Sequence, residues 1–525
     1  MKTLKHTHIA PSGGWGLHMN LLLLAALSLG SCNTNDPIAT PVPSADYSII
    51  DGDTIKTVIF KDYKKLNALD PNGKNYIIVG DTTVLYKEPK LHTPPTKDPD
   101  LSKLKNNDDP DLKGKPLRMV AIGGSLTAGV RDGGYFNEGI LTSYPNLIAR
   151  QMKLQKFEQP LFDATDYNGF RRKVRTTFNP TGGPVPKFNE VKNNSGVEGV
   201  TDAGIKLKKT KGDFENFAFR NMNIASLNRS LIYHAENELT DINKLNTEYY
   251  RRVVPKDGKL DLVGSLNFNK YDIVSIDFGG LVTINNNQLA VNTPQQNQDK
   301  YIFTDAPPRE GSYDDFFVAP EVRFMYELSK NYKITKGILF NYPHFTKTPY
   351  FNFITDDKIQ KILGTQEIWV KGYGSYNNNK DKYLLLPTSE VDSLLSPKVH
   401  IALKKGISSD RPLSSFSTMP RSSFKTTPQG YTEYNNMINS LGKKYNFAVV
   451  DLFSLYEKIF AGTFTTDEGI KVDSSWPNGN FFSTDGIFPS AFGQAIIANE
   501  AIKALNKQYG IEIPLISTRE YLNVK

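Results

Sequence analysis

Cysteine is almost absent from this chain of 525 residues; Cys32 is the only one. A single thiol excludes an intrachain disulfide and any cysteine-based metal site. Histidine is scarce too. The seven histidines, His6, His8, His18, His92, His234, His344 and His400, never fall into a metal-ligand spacing such as H-E-x-x-H. Neither a metal nor another cofactor is indicated. Long apolar runs are also missing. The run Leu21–Leu29 is far shorter than the ~20 residues a transmembrane helix requires. Charge is poor in one-sided blocks. The net charge is +8 from 63 basic and 55 acidic residues, with no Lys/Arg run interleaved with aromatics, so nucleic acid is not indicated as a partner. The nearest basic patch, Lys206-Leu207-Lys208-Lys209-Thr210-Lys211, reads as a solvated face.

What is present is enough for a packed protein. A hydrophobic share of 39% and an aromatic share of 11% allow a sizeable core. The length suits one large α/β domain with an appendage, or two ordinary domains.

Residues 1–31 read as a signal peptide, with Leu21–Leu29 as its apolar centre. Small residues Gly30 and Ser31 then lead into Cys32, and Leu29-Gly30-Ser31-Cys32 resembles the bacterial lipobox. That resemblance implies a diacylglycerol on the Cys32 sulfur and an anchor in a membrane outside the cytoplasm. An ordinary signal followed by a chance cysteine is the simpler alternative. The position of Cys32 at the cleavage junction, as the sole cysteine, favours the lipid. Translation starts at Met1 or Met19. Asn33 after the cysteine favours the outer membrane, by analogy with lipoprotein sorting in enteric bacteria; its periplasmic or outer face is left open.

Residues 32–45 read as a tether. Residues 46–90 carry β-like runs, Tyr47–Ile50, Thr57–Phe60 and Tyr76–Val79, separated by Asp51-Gly52 and Pro71-Asn72-Gly73. They suggest a small β-rich extension. Residues 91–115 read as a polar linker. The main domain is expected over 116–525, with insertions near 155–215 and 283–320. Inner-strand patterns fall at 117–122, 272–278, 337–340 and 447–451. Helical patterns fall at 143–152, 431–444 and 491–508. This alternation suggests an α/β three-layer sandwich around a parallel sheet.

Two motifs carry chemistry. Gly123-Gly124-Ser125-Leu126-Thr127-Ala128-Gly129 resembles G-D-S-L-T-x-G, the first motif of the SGNH (GDSL-type) hydrolases. Asp485-Gly486-Ile487-Phe488-Pro489-Ser490-Ala491-Phe492-Gly493-Gln494 resembles their last motif, D-G-x-H-P-S-x-x-G. The segments 341–351 and 431–452 are similar to a Bacteroidetes-like lipoprotein branch of that family. The resemblance implies a three-layer fold. It also implies a serine nucleophile at Ser125, with Asp485 orienting a histidine three residues later.

The family pattern then breaks. The histidine position is Phe488, which cannot accept a proton, and Gly124 replaces the aspartate before the serine. The second motif maps near Asn223-Ile224-Ala225-Ser226, placing Ala225 at a glycine position. The third maps to Gly279-Gly280-Leu281-Val282, and Leu281 offers no side-chain donor. Loss of a triad histidine costs on the order of 10⁶ in kcat, and loss of one oxyanion donor about 10²–10³. Two other histidines are candidate replacement bases, His234 and His344, although both also read as surface or satisfied core residues. Ser125 itself reads equally as a small turn residue, and Asp485 as a loop cap.

The expectation is a lipoprotein that has lost ester hydrolysis. It would bind a glycan, an acyl chain or a peptide, or serve as an accessory subunit of an outer-membrane complex. The alternatives are an active esterase or acylhydrolase on acetylated glycans or lipids, using Ser125 with a non-standard base, and a structural subunit with no small ligand.

Overall fold

The structure is a computed structural model. It describes the backbone of 47–50, 53–56, 76–79 and 83–86 and most of 93–522. Outside the described residues lie 177–178, 180, 202–203, 221, 223–247, 254–265, 267, 279–281, 286–287, 292–319, 381–382 and 421–427. The signal, Cys32 and the tether lie outside them as well.

Four short strands form the centre: β1 (Met119–Ile122), β4 (Ile273–Ile276), β5 (Gly337–Phe340) and β6 (Ala448–Val450). All are parallel, in the order β6-β5-β4-β1. The labels β2 (Lys173–Thr176) and β3 (Lys187–Glu190) belong to a separate antiparallel hairpin. In β1, β4 and β5 every residue is buried, as a parallel sheet covered on both faces requires.

The period of two sorts these side chains into two cores. Val120, Ile122, Val274, Ile276 and Leu339 point to one face, where they meet helices α2 (Pro320–Tyr332) and α3 (Pro428–Tyr445). Met119, Ile273, Ile338 and Phe340 point to the other. There they meet α1 (Tyr144–Gln151), α4 (Leu452–Phe460) and α5 (Ala491–Tyr509). Each fully buried aliphatic side chain contributes roughly 1.5–3 kcal/mol against leaving it in water. The chain is therefore mixed α/β, with a parallel sheet between two helical layers.

The helices begin and end for local reasons. Pro145 sits in the first turn of α1, where its missing N–H is no loss. The Ser490 hydroxyl accepts the Gly493 N–H and starts α5; Gly510, at φ +60°, ends it. The strands at 119–122, 273–276 and 448–450 are shorter than their apolar runs, because the flanking residues already turn into loops.

Around this centre lie segments that the hydrophobic pattern described only coarsely. In 46–90, Tyr47–Ile50 pairs with Asp53–Lys56 across Asp51-Gly52, and Tyr76–Val79 pairs with Thr83–Tyr86. The expected run 57–60 lies outside the described residues. Residues 97–106, expected within a linker, dock on the domain. Leu104 is fully buried, and Asp272 accepts from the Asn106 N–H (3.0 Å) and from Lys105 Nζ (3.0 Å). Within 345–420, residues including Ile354, Ile368, Leu394 and Leu413 form a small core together with Val185. Among the described residues no helix is long and apolar enough to cross a membrane.

Candidate functional site

Ser125 follows β1 in a tight turn. The Gly124 carbonyl accepts the Ala128 N–H, and the Ser125 carbonyl accepts the Val130 N–H. The residue is buried. Beneath it, Thr127 Oγ1 lies 2.9 Å from the Tyr144 hydroxyl and donates to Asp277 Oδ2 at 3.2 Å. Asp277 follows β4 and is buried, so this network ties the turn to the C-terminal end of the neighbouring strand.

The last motif meets the first at several points. Gln494 Nε2 donates to the Leu126 carbonyl (3.1 Å), and its Oε1 accepts the Tyr144 N–H (3.0 Å). The Asp132 N–H donates to Ser483 Oγ (3.0 Å), and Asp132 Oδ1 accepts the Thr484 N–H (3.1 Å). Gly133 N–H donates to Asp485 Oδ2 at 3.1 Å. Ser125 and Asp485 thus sit on two loops bonded to each other at both ends.

Asp485 is occupied by backbone donors. Its Oδ1 accepts the N–H groups of Ile487 and Phe488, both at 2.8 Å. Burial still pushes its pKa up, against the opposing pull of these bonds, of Gly133 N–H and of Ser483. Phe488 is only 3% exposed and belongs to the core with Ile487, Val120 and Ile122. A ring in that place supplies no base. Tyr456 lies within electrostatic reach of both Asp277 and Asp485. Its buried phenol has no hydrogen-bond partner among the described residues. Burial, then the charges of Asp277 and Asp485, raise its pKa.

Of the two candidate replacement bases, His344 alone lies among the described residues. His344 Nδ1 lies 2.9 Å from Glu457 Oε1, and its ring packs on Tyr431 and Phe453. Those contacts come from α3 and α4, beside β6, at the opposite end of the sheet from β1. His234, the second-motif candidate Asn223–Ser226 and Leu281 of the third lie outside the described residues. Among the described residues no cluster of acidic, histidine or cysteine side chains could hold a metal ion.

The hairpin β2–β3 is a contributor that the motifs did not reveal. It belongs to the insertion expected near 155–215. Lys173 stands opposite Glu190, and Arg175 opposite Phe188, so all four share one face of the hairpin. That face covers the last motif. Phe188 stacks on Trp476, centroids 5.9 Å apart. Arg175 Nη1 donates to Asn478 Oδ1 at 2.7 Å, and Trp476 Nε1 donates to the Thr484 carbonyl at 3.1 Å. The indole lies against Gly486, where a Cβ would come within 3.0 Å of its Cε2 atom and where φ is +68°. Only glycine fits there. At its far end the hairpin is clasped by fully buried Asp392, which accepts the Val185 N–H at 2.8 Å and bonds Thr181 and Lys187.

Cations collect beside Gly133. Its carbonyl accepts from Arg220 Nη1 at 3.1 Å, and the Lys173 stem lies 3.2 Å from where a Cβ on Gly133 would be. Burial, followed by the charges of Arg220 and Arg171, pushes the Lys173 pKa down. Nearby, Arg131 and Arg172 are buried on the ring of Phe136 and are pushed down to about 10, chiefly by burial.

No protein family, curated protein or solved structure matches the chain.

Proposed function

We propose that this chain is a lipid-anchored protein of the SGNH-hydrolase type that acts by binding rather than by hydrolysing esters. Its anchor is Cys32, its membrane is the outer membrane, and its role is to hold a ligand or to serve as an accessory subunit of a membrane complex. The observation that carries the reading is Phe488. It occupies the position of the catalytic base, its ring is buried in the core, and its N–H helps to occupy Asp485. A neutral serine without a base is a poor nucleophile. Support for the SGNH-type architecture comes from the joining of the Ser125 and Asp485 loops at the C-terminal edge of a parallel sheet, where α/β proteins place their ligands.

The competing esterase reading rests on Ser125, retained in the turn after β1. A serine-reactive phosphonate separates the two. Binding without catalysis predicts no Ser125-dependent labelling of the full chain in detergent. Stoichiometric labelling that disappears in Ser125→Ala would establish the esterase instead.

A further inference from the structure

Buried charges in proteins are almost always paired, and Arg220 is an exception. It is 1% exposed, yet its Nε and Nη2 groups have no hydrogen-bond partner among the described residues. Among the described residues only Nη1 is hydrogen-bonded, to the Gly133 carbonyl and to the Tyr249 hydroxyl at 3.3 Å, and the guanidinium lies 5.7 Å from the centre of the Tyr249 ring. Two further cations stand close enough to act on it electrostatically, Lys173 and Arg171. Lys173 Nζ makes no ion pair or hydrogen bond with any described residue. Among the described residues the acids that face this group are Glu190, across the hairpin from Lys173, and Asp485. Neither bonds Lys173 or Arg220, and Asp485 is already occupied by three backbone N–H groups.

We propose that Arg220 and Lys173 form an oxyanion subsite beside Asp485, which takes a carboxylate, sulfate or phosphate group on the ligand of this protein. The subsite deepens the binding role proposed above by giving the ligand a charge. Arg220 supplies donors from the interior. Lys173, half-buried, supplies the opening to solvent. An oxyanion there would accept charge-assisted hydrogen bonds from both and relieve the repulsion between them. Gly133 is the hinge of the arrangement. Its N–H holds Asp485 and its carbonyl holds Arg220, so the charged group is delivered next to the last motif.

The test uses the full chain in detergent and follows thermal unfolding and direct calorimetric binding. The probes are inorganic phosphate, sulfate, a uronic acid, and the corresponding neutral sugar as control. At least one anion is expected to bind saturably while the neutral sugar does not. Lys173→Met should weaken that binding about tenfold, the loss of one charge-assisted bond, and Arg220→Met should abolish it. Binding of the uronic acid alone assigns a sugar carboxylate; binding of phosphate or sulfate alone assigns an ester of those acids. An adventitious ion only, bound equally by wild type and both variants, would overturn the proposal, as would no binding of any anion. Arg220→Met also loses its bonds to the Gly133 carbonyl and the Tyr249 hydroxyl, so a lower unfolding temperature without ligand is expected from those alone. Lys173→Met, which breaks no such bond, carries the test where Arg220→Met does not fold. Ser125-dependent hydrolysis would refute the non-catalytic reading and leave these binding results standing.

Discussion

Gln494 and Leu126, 368 residues apart, share a hydrogen bond of 3.1 Å from the side-chain amide of one to the carbonyl of the other. With its Oε1 on the Tyr144 N–H, the one amide joins the turn after β1, the start of α1 and the start of α5. Gln494 is buried, so nothing from solvent replaces it.

Gln494→Ala should therefore leave two buried backbone groups unsatisfied, each at about 1–3 kcal/mol. Chemical denaturation should show a loss of at least about 2 kcal/mol. A variant as stable as wild type would mean that the two loops are held together by other contacts.

Phe488→His supplies the histidine that the resemblance to the SGNH hydrolases implies, but not its surroundings. The ring site is apolar and closed, and Asp485 Oδ1 is already bonded to two N–H groups. The substitution should cost about 2–4 kcal/mol of stability, from lost packing and a buried polar ring. It should add no Ser125-dependent ester hydrolysis. A measurable gain in turnover would show that the remaining catalytic geometry is intact.

Glu390 gives a pH signature. Burial opposes its ionisation, but Lys405, Ser414 and Ser417 bond the carboxylate and hold its pKa at about 2, below the ordinary 4.5. A depressed carboxylate stabilises the fold above its unfolded pKa and loses that contribution as pH falls through the folded value. The small core of residues 345–420 should thus loosen between about pH 4.5 and pH 2. Trp369, in that segment, provides the fluorescence signal. In Glu390→Gln the slope of stability over this window should be shallower; an unchanged slope would assign the acid response to other groups.

On the proposed lipid anchoring, Cys32→Ala should move the protein from the membrane pellet to the soluble fraction, because it removes the sulfur that would carry the lipid. Retention of the same membrane fraction would refute the lipid anchor.

The sheet was legible because burial on both faces leaves a plain record. Runs such as Gly337–Phe340 are apolar at every position, and α5 opens at its Ser490 cap and closes at Gly510. The bond between Leu126 and Gln494 was not legible, since no local pattern links two residues 368 apart. The hairpin β2–β3 was read as an insertion rich in Asn, Gly, Pro and Lys. Its one-sided placement of Lys173, Arg175, Phe188 and Glu190 depends on the register between two strands, which composition does not record. Arg220 was equally hidden: a single arginine in sequence gives no sign that it will be buried without a partner. The small core at 345–420 was missed because its elements are short, such as Trp369–Val370 and Ser389–Leu395, and too brief to display a period.

The most direct test of the central claim is hydrolysis of a small activated acetyl ester by the detergent-extracted full chain, beside Ser125→Ala. On the proposed reading, with Phe488 where the base would stand, both proteins should give the same background rate. A wild-type rate clearly above that of Ser125→Ala would contradict the account and establish a working serine nucleophile.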